Sequence, residues 1–287
     1  MSDLTFTLLI LAAIGHSIWN AISKQIPERD TFFTLILIVA VVLYSPLAVY
    51  MLWEHPVPYR AWIWICISIS FEILYFASLA KAYQNGTFLT VYPVARGSAP
   101  ILATLFSFLL TWQFVGIIGL SGIILTVIGI LFINQKRFSV YEIKNSLTNS
   151  SAKWALITGA CTASYSVADS MGVANMPAIS FKYIVFIGMV FGKLAYDKKF
   201  TAQVPYIHLL RRHPVKSLIC GLLVFGVNAL VVYAMQSTPV AFVSATRETS
   251  IVFASIIGTV WLKERMGLTK CLSILLIFAG IILIKIG

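Results

Sequence analysis

Residues 32–53 read FFTLILIVAVVLYSPLAVYMLW, 22 consecutive positions without a charged side chain. An α-helix needs about 20 apolar residues to cross a hydrocarbon core of about 30 Å, and this run is too long and too little alternating for a barrel strand. Such runs recur along the chain with hardly a break. Cutting wherever charge, proline or Asn-Gly interrupts them gives ten segments, at approximately 4–23, 32–53, 61–83, 87–111, 114–134, 152–172, 178–196, 215–236, 239–261 and 267–285. The expected fold is an all-α membrane protein of ten transmembrane helices.

Composition leads to the same place. Hydrophobic residues make up 59% and charged residues 11% of the 287, with mean hydropathy +0.91, so there is too little polar surface to clothe a water-soluble domain. The first segment contains His16, Trp19 and Asn20 and lacks a basic leader and a small-residue cleavage site, so it reads as a retained helix. The connections are short except Asn134 to Ser151 and Asp197 to Pro214, which leaves no room for an extramembrane catalytic domain.

The net charge of +11 comes without a groove-binding motif or basic helix and implies no nucleic-acid partner. The basic residues report topology. Odd-numbered connections hold Lys24, Arg29, Lys81, Lys136, Arg137, Lys144, Lys153, Lys193, Lys198, Lys199, Arg211, Arg212, Lys216, Lys263, Arg265 and Lys270, whereas the even ones and the tails hold Arg60 and Lys285. The positive-inside rule places the odd connections in the cytoplasm. Cys66, Cys161, Cys220 and Cys271 lie within segments, without metal-ligand or redox spacing, and read as small packing residues.

The chain also resembles itself. Shifted by 151 positions, Arg96 falls on Arg247, Thr87 on Thr238, Gly116 on Gly267, Gly129 on Gly280, and the break at Trp112 and Gln113 on that at Lys263 and Glu264. At a shift of 149, Tyr165 and Asp169 fall on His16 and Asn20, both pairs on one helix face by their i, i+4 spacing. The expected organisation is a five-helix repeat over 1–138, a central connection at 139–151, and a second five-helix repeat over 152–287. An odd number of crossings per repeat makes the two inverted, an architecture that secondary transporters use for alternating access.

Four stretches carry a family resemblance: GHSIWNAISK (15–24), TVYPVARGSAPILATL (90–105), SATRETSIVFASIIG (244–258) and WLKERMG (261–267). With the helix number and the duplication, they resemble EamA-type transporters of the drug/metabolite transporter superfamily. The resemblance implies a ten-helix carrier with a central cavity that exports amino acids, metabolites or drugs, or exchanges sugar conjugates or phosphorylated metabolites. It also implies a cell (inner) membrane of bacterial type. The small four-helix multidrug pumps among these relatives use a Glu in their first helix, and here 4–23 and 32–53 hold no acid.

Independently of family, ionisable residues within lipid point to a transport path, because each costs on the order of 3 kcal/mol at mid-membrane on insertion scales unless paired or hydrated. Glu72, Arg96, Asp169, Arg247 and Glu248 stand out, with His16 and Lys182 behind them. Arg96 is flanked by Pro93, Gly97 and Pro100, which loosen helical hydrogen bonding, and Tyr92 lies one turn earlier. Arg96 and Arg247 offer planar forks to a carboxylate or phosphate. The alternative is permanent pairing, Arg96 with Glu72 and Arg247 with Glu248 or Asp169.

Glu72 and Asp169 are candidates for coupling to a proton or sodium ion, or for charge neutralisation alone. His16, Trp19, Asn20 and Tyr165 line a cavity wall or bond a neighbouring helix. Trp62, Trp64, Trp112 and Trp261 suit an interfacial belt, and Gly15, Gly119, Gly122, Gly129 and Gly280 suit close helix packing. No nucleophile elbow, zinc motif or P-loop is present, so an enzyme or ATP-driven pump is disfavoured.

The leading expectation is a secondary carrier of a small polar metabolite, an exporter or exchanger working by alternating access. Its partners are substrate, lipid and a coupling ion, with no cofactor, no metal and no obligatory protein partner. A multidrug efflux carrier and a lipid-handling or accessory protein are the alternatives.

Overall fold

The computed structural model describes residues 1–85, 88–112, 115–133, 135, 150–200, 204–260 and 267–287. Every regular element among them is a helix: α1 (Asp3–Lys24), α2 (Arg29–Glu54), α3 (Tyr59–Asn85), α4 (Phe88–Thr111), α5 (Ile117–Phe132), α6 (Ser150–Val173), α7 (Ala178–Phe200), α8 (Tyr206–Arg212), α9 (Pro214–Ala234), α10 (Val240–Arg247), α11 (Thr249–Val260) and α12 (Leu268–Ile286). Eight stretches are long and apolar enough to cross a membrane, one of them spanning α10 and the start of α11. Large apolar side chains such as Trp53, Ile63 and Phe191 point outward along them. In water these would form an aggregating surface, and in lipid they are solvated.

Two of the ten expected segments fall short by that measure, for different reasons. At 16 residues α5 is apolar throughout but spans about 24 Å at 1.5 Å per residue. α6, rich in Ala, Ser, Thr and Gly, is packed between α3 and α4 and shows little surface to lipid, so it has no need of high hydropathy.

Three expectations are corrected. The ninth segment is not one helix but breaks at Glu248, between α10 and α11. The fourth runs unbroken across Pro93, Gly97 and Pro100, as membrane helices tolerate proline wherever their surroundings satisfy the freed backbone groups. Finally, α7 continues to Phe200 and α8 follows it, so much of the long seventh connection is helical. This places Lys193 within α7, buried, and not in a loop.

Packing is closest where glycines let backbones touch. Where α5 meets α12, a Cβ added at Gly122 would stand 2.5 Å from the Gly280 carbonyl oxygen, and one at Gly129 would stand 2.8 Å from that of Ser273. Gly15 closes on Val227 of α9 and Gly119 on Phe242 of α10. These glycines serve helix contact, as their placement suggested. α3 packs on α6 and α1 on α9; α4 packs on α6 and α1 on α11; α3 packs on α7 and α2 on α9. All four cysteines are free thiols. Trp112 and Trp62 are exposed at helix ends, as an interfacial belt requires, while Trp261 lies outside the described residues.

Candidate functional site

The break after Arg247 is where a site is built. At Glu248 the backbone tightens: its amide donates to the Ala245 carbonyl at 3.1 Å, and the Ile251 amide to the Glu248 carbonyl at 3.0 Å. The Thr249 hydroxyl takes the Thr246 carbonyl. Side chains therefore satisfy backbone groups that an unbroken helix would pair, the condition for irregular backbone at membrane depth. The turn directs Glu248 to α4, where Arg96 Nη1 reaches its Oε1 at 3.2 Å; the Glu248 side chain is 3% exposed and the Arg96 side chain 21%. Glu248 Oε2 is buried without a hydrogen-bond partner among the described residues.

Arg96 and Arg247 open onto one cleft, whose other polar lining is His16 of α1, Asn228 of α9 and Ser250 of α11. Its enclosed cavity is about 10 Å³, the size of a single water. The Arg96 guanidinium lies 5.9 Å from the Tyr92 ring centroid. The Ser17 hydroxyl donates to the Ser250 carbonyl at 2.7 Å and so fixes α1 against α11 beside the cleft. Arg247 is half-buried and makes no ion pair among the described residues.

Glu72 and Asp169 form a second centre. Lys182 Nζ lies 2.6 Å from Glu72 Oε1 and 2.7 Å from Asp169 Oδ2, with its side chain 1% exposed. Ser68 donates to Asp169 Oδ1 at 2.5 Å, and Tyr165 places its ring 5.8 Å from the ammonium. The trio joins α3, α6 and α7. Pairing of Arg96 with Glu72 is thereby corrected: Glu72 belongs to Lys182, Arg96 to Glu248.

Between the centres runs a line of rings. His16 meets Trp19 edge-on at 5.1 Å, with a hydrogen bond from Trp19 Nε1 to His16 Nδ1 at 3.3 Å. Trp19 then meets Phe33, Phe33 meets Phe76, Phe76 meets Tyr75, and Tyr75 meets Tyr165, all within 6.3 Å. Trp19 is thus a core residue on this line. Asn20 stands apart, exposed, with its amide donating to the His16 carbonyl at 2.7 Å.

Sequence reasoning ranked Lys182 too low and passed over Asp197. Lys193 and Asp197, one turn apart on α7, pair at 2.8 Å, both buried. Thr34 of α2 and Tyr206 of α8 donate to Asp197 Oδ2 at 2.5 and 3.0 Å. The i, i+4 spacing of lysine and aspartate was the available signal. The Tyr206 phenol is pushed up to about 12, by burial first and then by its bond to Asp197.

Residues 149–286 match the EamA-like transporter family. No curated protein matches the sequence significantly. One solved crystal structure of another protein superposes with a TM-score of 0.73 over 99% of this chain and 96% of its own, at 15% identity, a likeness of fold.

Proposed function

Because residues 149–286 belong to the EamA-like transporter family of the drug/metabolite transporter superfamily, we propose that this multi-pass membrane protein is a secondary carrier for a small polar metabolite bearing a carboxylate or phosphate. The observation that carries this reading is the cleft. Two guanidinium groups, a histidine and an amide converge from α1, α4, α9 and α10 at a helix break within the membrane. Arginine forks suit planar oxyanions, and one of the two, Arg247, makes no ion pair among the described residues.

Alternating access is supported by the repeats. On this reading α10 and α11 form one broken crossing, and with the short α5 and the packed α6 the crossings number ten. Swapping the halves exchanges α3–α6 with α1–α9, α4–α6 with α1–α11, and α3–α7 with α2–α9, and each of those pairs packs. The same swap turns the Gly122–Gly280 approach into that of Gly129 and Ser273. A two-fold axis between α5 and α12 explains both. A 10 Å³ cavity holds no metabolite, so this conformation is the contracted one and a carrying state must open the halves.

The test is solute counterflow in liposomes containing the purified chain, with amino acids, organic acids, sugar phosphates and cationic drugs in turn. Saturable exchange of an anion or zwitterion is expected. Exchange confined to cations would favour multidrug efflux, and activity on lipid alone a lipid-handling protein.

A further inference from the structure

Among the described residues the charges inside the helix bundle fall into three groups, two of which carry one unit in excess, of opposite sign. Around the cleft, Arg96 and Arg247 stand against Glu248, an excess of one positive charge. In the trio, Glu72 and Asp169 stand against Lys182, an excess of one negative charge. Lys193 and Asp197 balance each other further along α7. The two groups sense one another, since Arg247 lies close enough to act on Glu72 as well as on Glu248 and His16.

We propose that the carrier moves one monoanion together with one proton, the anion held by Arg96 and Arg247 and the proton shared by Glu72 and Asp169 around Lys182. This rests on the carrier reading above and adds its coupling ion and stoichiometry. Empty, the two excess charges offset each other across the α3–α4–α6–α10 region. An anion alone neutralises the cleft and strands the negative trio in low dielectric, and a proton alone neutralises the trio and strands the positive cleft. Both half-loaded states leave an uncompensated buried charge, which is strongly unfavourable. Loading both restores balance, so each ligand raises the affinity of the other.

The groups facing the trio fit this assignment. On its own helices Tyr165 lies against Lys182, and Tyr75 lies against Tyr165. From the packed neighbours, α4 brings Arg96 with Tyr92 and α10 brings Arg247, while α1 brings His16 at the cleft. α9 meets α7 through Phe225, against Phe186 and Tyr183, and α2 meets it where Thr34 binds Asp197. A proton leaving either carboxylate therefore changes the charge of the trio itself.

The experiment uses liposomes containing the full chain and two labelled monoanions, lactate and L-glutamate. Counterflow without a pH or voltage difference tests the carrier reading alone. A gradient of one pH unit, with the voltage held at zero by potassium and valinomycin, is then expected to drive about tenfold accumulation on the side the protons enter, the limit for one proton per anion. Imposing a potassium diffusion potential is expected to leave accumulation unchanged. Counterflow that ignores the pH gradient, or accumulation that follows voltage, overturns the coupling and leaves the carrier standing. Counterflow of neither monoanion overturns the proposal together with its substrate class. Glu72→Gln makes the trio neutral and is expected to abolish pH-driven accumulation. Tenfold accumulation in that variant also overturns the assignment, and should it fail to insert, the measurements on the natural chain still decide.

Discussion

Arg96 and Arg247 lie 151 positions apart, and their environments predict unequal responses to truncation. Arg96→Ala leaves Glu248 buried, with neither oxygen paired, a loss of about 3–5 kcal/mol. Its melting temperature in detergent should fall well below that of the natural chain, and Glu248→Gln in the same molecule should recover much of the difference. Arg247→Ala removes a charge that makes no ion pair among the described residues, so it should lower the melting temperature less than Arg96→Ala does while losing stabilisation by anionic ligands. Lys182→Met strips the ammonium from two carboxylates that lie within 2.7 Å of it. Carboxylates left facing each other in low dielectric are tolerated only once protonated. This variant should therefore melt well below the natural chain at neutral pH, by about 3–5 kcal/mol for the stranded charge, which thermal melts in detergent check.

At the scale of elements, glycines of the same two helices divide into those that permit contact and those that do not. Gly280→Ala places a methyl 2.6 Å from the Gly122 carbonyl and 2.4 Å from Thr126 Oγ1. Backbone cannot yield there as a side-chain tip can, so a loss of about 1–3 kcal/mol is expected. Gly116 and Gly267, which precede α5 and α12, have open space around them and backbone angles that alanine also adopts. Alanine at either should be neutral. Thermal melts of all three variants check this directly. Where α7 meets α8, Tyr206 titrates near 12. Its raised value favours the folded state below the ordinary phenol range and loses that effect as pH climbs to about 12, so Tyr206→Phe should delete one late phenolate from the ultraviolet pH titration.

At the scale of the whole molecule, the proposed carrier function requires residues 1–138 and 152–287 to move against each other for the cleft to admit a solute. Two ends of the bundle hold contacts that such motion would break in turn. Lys216 reaches Gln25 at 3.1 Å at one end, and Lys285 reaches Asp3 at 3.0 Å at the other. In a background with the four native cysteines replaced, Gln25→Cys with Lys216→Cys, bridged by a short bismaleimide, should stop counterflow. Each single variant treated likewise should remain active. Unimpaired exchange by the bridged protein would exclude opening at that end.

Much of this was legible in the chain, because a hydrocarbon solvent makes simple demands. Helical crossings must be long and apolar, so an all-helical membrane protein and most of its spans follow from the pattern of charge and apolar runs. The rarity of charge in lipid also singled out Glu72, Arg96, Asp169, Arg247 and Glu248. Which charge meets which did not follow. Lys182 lies 110 positions from Glu72 and Arg96 lies 152 from Glu248, separations over which only the crossing of helices sets distance. The helix break falls at Glu248 and not at Pro93 or Pro100, because packing decides where a backbone can be left unpaired. Sequence determined a bundle of apolar helices carrying a few expensive charges, and tertiary structure decided how those charges divide into one positive and one negative centre.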